Sequence, residues 1–137
     1  MMSKVASFLR VVPVLATYYV IERNVFSISN ADGQSMEPTI KSGDIVVIDR
    51  LFYRWQGLKP NDIVVAVQPV NPEVSICKRI LAVGGEKVPS GPAEGIMIPN
   101  DQYWLEGDNR SNSYDSRHHG AVSENLIQGR VALIIPV

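Results

Sequence analysis

Cysteine is nearly absent from this sequence, which has only Cys77 among its 137 residues. An internal disulfide framework and a zinc site built from several cysteines are therefore excluded. No charge of one sign dominates either, because the net charge is −1, whereas nucleic-acid-binding domains usually carry a basic excess. We therefore expect no nucleic-acid partner. The length suits one modest core and leaves no room for a second.

A long uncharged hydrophobic run is also missing, and the nearest approach is Val5–Ile21, which contains Arg10. Seventeen helical residues measure about 26 Å, slightly less than a hydrocarbon core of about 30 Å. Arg10 lies near one end, from which its side chain can reach the headgroups. A cleaved signal peptide is disfavoured by Arg10 and by the lack of a small-residue cleavage site. A docked or interfacial helix stays an alternative to the uncleaved membrane anchor that we favour.

Beyond residue 26 the chain contains short runs rich in Val and Ile, bounded by Gly, Pro, Asn and Asp. This pattern is typical of β-strands, and its close spacing predicts a mainly β domain, a compact barrel or sandwich. We predict an anchor segment over residues 1–26 and the β domain over residues 27–137. The predicted elements are strands Asp44–Asp49, Asp62–Gln68, Val74–Val83, Gln102–Leu105 and Arg130–Ile135, with one short helix at Ser123–Ile127.

The segment Arg50–Leu58 concentrates aromatic residues between two arginines. One interpretation is a hairpin whose aromatic side chains fold back onto the core. The other is an interfacial loop that enters the headgroup layer, since aromatic and basic residues together suit that environment.

Three polar clusters are candidates for chemistry. The first is DGQSMEPTI, in which Gly33 and Pro38 suit a turn that presents Ser35 together with its own backbone N–H. The second is ICKRILAVGGE, where strand alternation places Lys78 on a face with isoleucines. Each alone has an ordinary reading, a turn serine and an edge-strand charge.

The third cluster is GDNRSNSYDSRHHG, which reads as a polar network or a solvated loop. Four of its side chains are candidate metal ligands, namely Asp108, Asp115, His118 and His119. Their spacing matches no calcium loop or zinc pattern, so we expect no metal.

Taken in order, these clusters resemble the type I signal peptidases. GQSMEPTI resembles the nucleophile box, LKPNDIVVAVQP the strand box that follows, CKRILAVGGE the box of the general base, and GDNRSNSYDSRHHG the final Gly-Asp-Asn box. The resemblance covers essentially the whole chain. It is greatest to the mitochondrial inner-membrane branch, and the endoplasmic-reticulum relatives carry His at the position of Lys78.

The resemblance implies roles for individual residues. Ser35 is expected to be the nucleophile of a serine endopeptidase and Lys78 its base. Ser113 is expected to orient the lysine amine, and Asp115 with Arg117 to form a structural ion pair. Gly33 departs from several bacterial members, which carry a hydroxyl residue there as a second oxyanion donor, so that donor stays unassigned.

The resemblance also implies surroundings for the protein. The substrates are membrane-inserted precursors, cut on the intermembrane-space side of the mitochondrial inner membrane. The partner is a second inner membrane protease subunit, no cofactor is needed, and His118 and His119 are expected to be surface residues without a role. Alternatives are a bacterial-type signal peptidase, a catalytically silent assembly subunit, or a self-cleaving repressor of the SOS type, which should carry a DNA-binding segment.

Overall fold

The computed structural model describes residues 25–137 together with Pro13, Ala16, Thr17 and Tyr19. Most of the predicted anchor over residues 1–26 therefore lies outside the described residues. Within the described part of the chain, no helix is both long enough and apolar enough to cross a membrane.

Seven antiparallel strands form one sheet, in the spatial order β1-β2-β7-β3-β4-β5-β6. The mainly β class is thereby confirmed, but the sheet is open and the predicted barrel is wrong. Closure would require β1 to pair with β6, and β6 is only two residues long. The strands are β1 Phe26–Asn30, β2 Ile45–Asp49, β3 Ile63–Gln68, β4 Asn71–Val83, β5 Gln102–Glu106, β6 Val122–Ser123 and β7 Ile127–Ile135.

The five predicted strands are all present, with β4 and β7 each starting three residues earlier than expected. The predicted helix at Ser123–Ile127 is instead a 3-10 turn, Glu124–Leu126, and Ser123 makes no side-chain cap bond. The turn ends there because Ile127 pairs with Ala66 and enters the core. The pattern gave no signal for β1 or β6.

Both faces of the sheet are covered where β3 runs through its middle. Val64 and Ala66 belong to one buried cluster, with Ile80 and Leu105. Their neighbours Ile63 and Val65 pack against a second cluster on the opposite face. Because side chains alternate along a strand, β3 contributes to two hydrophobic clusters, one on each face of the sheet.

The aromatic segment after β2 forms a short helix, α1 (Phe52–Gln56), so the hairpin interpretation is wrong. Asp49 at the end of β2 promotes this turn, because its Oδ1 accepts from the N–H groups of Leu51 and Phe52 at 3.1 and 2.8 Å. Tyr53 folds onto the core as expected, whereas Trp55 is 76% exposed.

Candidate active site

Ser35 lies in the loop between β1 and β2, residues 31–44, which we call the Ser35 loop. Buried Met36 and Ile40 fix this loop to the core, and Ser35 itself is half-buried. Gly33 has a φ of +88°, the left-handed conformation that glycine adopts without strain. Within residues 25–137 the backbone N–H of Ser35 has no hydrogen-bond acceptor.

Lys78 lies in the buried half of β4 and is only 4% exposed. It pairs in register with Val64, and alternation puts it on the same face as Ile80, as the sequence predicted. Burial lowers the pKa of Lys78, because an ammonium loses its hydration there, and the charges of Cys77 and Asp115 oppose that shift only in part. The opposite effect of burial raises the pKa of the Cys77 thiol to about 11.

The fold brings Ser35 and Lys78 together although 43 positions separate them in sequence. Lys78 Nζ and Ser35 Oγ are 2.6 Å apart, within hydrogen-bond distance. Beside this pair lies a cavity of about 240 Å³, bounded by the Ser35 loop and by residues 74–78 of β4. Its walls are largely small or apolar side chains, among them Ala31, Ile76 and Cys77.

Two larger cavities, of about 470 and 530 Å³, lie elsewhere on the domain. Neither is lined by Ser35 or Lys78. We therefore assign the reactive site to the smaller cavity, because chemistry needs the paired groups and not the largest volume.

Asp115 is fully buried, and hydrogen bonds satisfy its carboxylate. Nε and Nη2 of Arg117 each donate to it at 2.8 Å, the N–H of Gly107 donates at 3.0 Å, and the hydroxyl of Ser113 donates at 2.7 Å. Burial alone would raise the pKa of Asp115, but these donors outweigh it and hold the pKa at about 2. The ion pair with Arg117 that the resemblance implied is present.

Ser113 and the carbonyl group of Ser35 both lie close to Gly107. A Cβ atom added at Gly107 would collide with the side chain of Ser113 and lie 2.5 Å from the carbonyl oxygen of Ser35. Only glycine therefore lets these two segments approach so closely. The hydroxyl proton of Ser113 is directed to Asp115, not to Lys78. Its lone pairs are left to accept from an N–H, so the orienting role of Ser113 stays a prediction.

A second carboxylate connects the three clusters to one another. Asp108 accepts from Nε and Nη2 of Arg79 at 2.8 and 2.7 Å and from Thr39 Oγ1 at 2.5 Å. Burial pushes the pKa of Asp108 upward, and the hydrogen bonds from Arg79 and Thr39 outweigh it and lower the pKa below its usual value. This contact joins the Ser35 loop to β4 and to the final box.

The backbone of the Ser35 loop is also held directly. The N–H of Asn109 donates to the Ser35 carbonyl at 3.0 Å, and Asn109 Nδ2 donates to the Gln34 carbonyl at 3.1 Å. Asn112 Nδ2 donates to Gln34 Oε1 at 3.1 Å.

The sequence prediction did not include Thr39, Arg79, Asp108 or Asn109 among the supporting residues. All four lie inside the quoted boxes, but charge and spacing do not reveal which side chains pair. Glu106 is a further carboxylate in this part of the structure, and it accepts a hydrogen bond from Arg110 Nη2 at 2.7 Å.

The two histidines differ from each other. His118 is exposed, as predicted, and its side chain completes a capping box with Asp115 at the start of helix α2, Ser116–His119. His119 is half-buried, so its predicted surface position is wrong, and its buried Nε2 atom has no hydrogen-bond partner among residues 25–137. Burial lowers the pKa of His119. No group of three His, Cys, Asp or Glu side chains in the described part of the chain is placed to hold a metal ion.

These boxes, and the sheet that brings them together, define a protein class. A family model described as signal peptidase, peptidase S26, matches residues 4–94 and 89–136. The chain belongs to this family of proteases.

Individual relatives narrow the class. The chain is 40% identical over 104 residues to mitochondrial inner membrane protease subunit 1 of Mus musculus, covering 72% of this chain and 63% of that protein. It is 34% identical over 126 residues to the protein of the same name from Schizosaccharomyces pombe, covering 88% and 80%. It is also 31% identical over 138 residues to mitochondrial inner membrane protease subunit 2 of Danio rerio, covering 96% and 74%. The match thus spans less than two thirds of the length of the mouse protein.

Proposed function

We propose that this protein is a serine endopeptidase in which Ser35 is the nucleophile and Lys78 the general base. The observation that carries the proposal is the 2.6 Å separation of Lys78 Nζ and Ser35 Oγ. Deprotonation of an exposed lysine at pH 7 costs about 4.6 kcal/mol. Burial among apolar side chains lowers a lysine pKa by up to about 3–5 units, which removes most of this cost.

In the proposed reaction, Ser35 Oγ attacks the scissile carbonyl as Lys78 Nζ takes the hydroxyl proton. The C–N bond then breaks, the proton passes from Lys78 to the leaving amine, and an ester to Ser35 remains. Water, deprotonated by the same amine, hydrolyses that ester. The backbone N–H of Ser35, which has no acceptor within residues 25–137, supplies one donor to the oxyanion. Gly33 contributes no side-chain donor.

The cavity beside the pair supports binding of an extended peptide. It lies between residues 31–33, which follow edge strand β1, and residues 74–78 of β4. An extended substrate would pair with such an edge by β-augmentation and place a side chain in the cavity. A volume of about 240 Å³ favours small side chains.

The decisive experiment is a precursor-processing assay that compares the wild type with Ser35→Ala. Wild-type protein is expected to cleave the precursor, and Ser35→Ala to be inactive while remaining folded. Ser29→Ala, an exposed serine on β1, is the matched control and should retain full activity. An inactive wild type would favour a catalytically silent subunit, and an active Ser35→Ala would exclude this nucleophile.

The names of the relatives support a location at the mitochondrial inner membrane. We place the catalytic domain, residues 27–137, in the intermembrane space, with residues 1–26 as its membrane anchor and sorting peptides of precursors as its substrates. The relative named subunit 2 supports a heteromer with a second inner membrane protease subunit. Resistance of the protein to alkaline carbonate extraction tests the anchor, and release into the supernatant would exclude it.

Asn109 provides a test of compartment. Asn109-Arg110-Ser111 is formally a glycosylation sequon, yet Asn109 Nδ2 donates to the Ser35 loop. A protein of the intermembrane space does not encounter the glycosylation machinery, so the native protein is expected to carry no glycan. A mobility shift on glycosidase treatment would place it in the secretory pathway.

A further inference from the structure

One wall of the cavity beside Ser35 carries a carboxylate that the proposed reaction does not use. Asp32 lines this cavity together with Ala31 and Gly33, and residues 74–78 of β4 form the facing wall. Asp32 is exposed, and within residues 25–137 its side chain forms neither a hydrogen bond nor an ion pair. No group of the described domain therefore competes with a bound peptide for this carboxylate.

The charge of Asp32 is not balanced by another charge in the cavity. Among the residues that line it, only Lys78 is also of a charged type. Burial lowers the pKa of Lys78 and so favours its neutral amine. The Cys77 thiol, with a pKa of about 11, is neutral at pH 7. The cavity thus presents one negative charge, at its exposed wall, among side chains that are otherwise small or apolar.

Asp32 also lies close to the bond that would be cut. It precedes Ser35 by three residues, which even in a fully extended chain span at most about 10 Å. An extended peptide advances about 3.3 Å per residue. The substrate residue that faces Asp32 therefore lies within about three residues of the bond that Ser35 attacks.

We propose that Asp32 is a specificity residue, which selects peptides that carry Lys or Arg within three residues of the cut, beside the small side chain that enters the cavity. The inference rests on the proposed function, because it assigns a substrate preference to the same Ser35–Lys78 site. Complementary charges discriminate between partners by attracting one sign and repelling the other. An acidic residue at the same substrate position is therefore disfavoured.

The preference should be moderate, because Asp32 is exposed. An ion pair between exposed side chains changes an equilibrium by up to about fivefold. We expect kcat/KM for a Lys peptide to exceed that for its Gln counterpart by about two- to fivefold, and the Glu peptide to be poorer by a similar factor. Since salt screens exposed charges, the ratio should shrink between about 0.05 M and about 0.5 M salt.

A peptide series tests this preference on the full-length protein. A soluble fluorogenic peptide with Ala around the cut receives Lys, Gln or Glu at each of the three positions on either side of the scissile bond. Wild type should favour Lys over Glu at one of these positions. Asp32→Asn should bring that ratio close to one, and Asp32→Lys should invert it. Glu94→Gln, which changes an exposed carboxylate outside the cavity, should keep the wild-type ratio.

The ratio is measured within each variant, so a change in folded fraction or overall rate does not affect it. Asp32→Glu keeps the charge and should keep the preference for Lys. Loss of the preference in Asp32→Glu would assign it to the loop conformation and not to the charge. Equal cleavage of Lys and Glu peptides by wild type would overturn the inference, as would a preference that Asp32→Asn retains.

A binding measurement separates this inference from the proposed protease activity. Fluorescence anisotropy reports the Kd of the labelled Lys, Gln and Glu peptides for Ser35→Ala, with and without Asp32→Asn. If wild type cleaves no peptide, the proposed function is contradicted, but tighter binding of the Lys peptide that requires Asp32 would still support the selection. Equal binding of the three peptides, or no binding at all, by such an inactive protein would overturn both.

Discussion

Two buried ionisable side chains of the site, Lys78 and Asp115, have opposite surroundings. Lys78 is 4% exposed among apolar neighbours and contacts one hydroxyl, so burial lowers its pKa. Asp115 is 0% exposed but receives hydrogen bonds from an arginine, a serine and the backbone, so its pKa falls to about 2. Burial therefore disfavours both charges, and the donors around each group decide whether it stays ionised.

The difference assigns them different tasks. A base needs a free lone pair, and the apolar surroundings of Lys78 favour the neutral amine, which has one. A structural anion needs a permanent charge, which Arg117 secures for Asp115. The sharpest way to break this comparison is to change each group without changing its volume much.

The largest effect is expected at Lys78. Lys78→Met removes the amine, and Lys78→Arg keeps a charge that does not deprotonate in the working range. Both should lower kcat/KM for precursor cleavage by about 10²–10⁴-fold, the usual contribution of a general base. Lys59→Met, an exposed lysine, should have no effect, and near-ultraviolet circular dichroism checks folding. Substantial turnover by either variant would refute the role of Lys78.

Asp115→Asn should have the largest effect on stability. The change removes the carboxylate that Arg117, 17% exposed, contacts at 2.8 Å, and leaves it, within residues 25–137, only the Glu106 carboxylate at 3.9 Å. Breaking a buried pair by removing one partner costs about 3–5 kcal/mol. Urea unfolding of the detergent-solubilised protein measures the loss, with Glu73→Gln on the exposed end of β4 as control. A loss below that of the control would show that Asp115 is not a structural anion.

The low pKa of Asp115 should make the stability of the protein depend on pH in acid. Between pH 3.8 and about 2 the unfolded Asp115 binds more protons than the folded one, so stability falls as pH is lowered through this window, by about 2 kcal/mol. This fraction of acid sensitivity should be absent from Asp115→Asn. A wild type with the same acid dependence as the variant would contradict the low pKa.

Lys78 should affect stability at alkaline pH. Its folded pKa lies below 10.5, so in the window between the two values the unfolded chain binds the extra proton and stability rises with pH. At pH 7 the lysine therefore costs stability, and Lys78→Met should be more stable than wild type there. Unfolding free energies at pH 7 and 9.5 measure the difference, and a less stable Lys78→Met would contradict apolar burial as the cause.

The smallest effect concerns Ser113, which donates a hydrogen bond to Asp115 and is predicted to orient Lys78. The hydroxyl of Ser113 donates its hydrogen bond to Asp115. Toward Lys78 it is therefore able only to accept a hydrogen bond, which both the amine and the ammonium can donate. Ser113→Ala should therefore lower kcat/KM but move its kinetic pKa by less than about one unit. The pH–rate profiles of wild type and variant test this, with Ser111→Ala, an exposed serine of the same box, as control. A larger shift would mean that Ser113 sets the protonation state of Lys78.

Much of the fold was predictable where one physical rule acts alone. Val and Ile runs between turn residues gave five of the seven strands, because a half-buried strand requires that pattern. β1, with the sequence FSISN, and the two-residue β6 were missed because they are polar or short and depend on their neighbours. The open ends of the sheet were not predictable, since strand pairing at long range leaves no local signal.

The sequence by itself determined the four boxes, the single-domain scale and the alternation that turns Lys78 toward the isoleucines. These follow from residue type and from the two-residue period of a strand. Only the tertiary structure decided that Lys78 reaches Ser35, that Asp108 joins Thr39 to Arg79, and that Ser113 donates a hydrogen bond to Asp115. Each of these contacts depends on how segments distant in the chain pack, and protonation follows from that packing, because desolvation and hydrogen-bond donors act through space and not along the sequence.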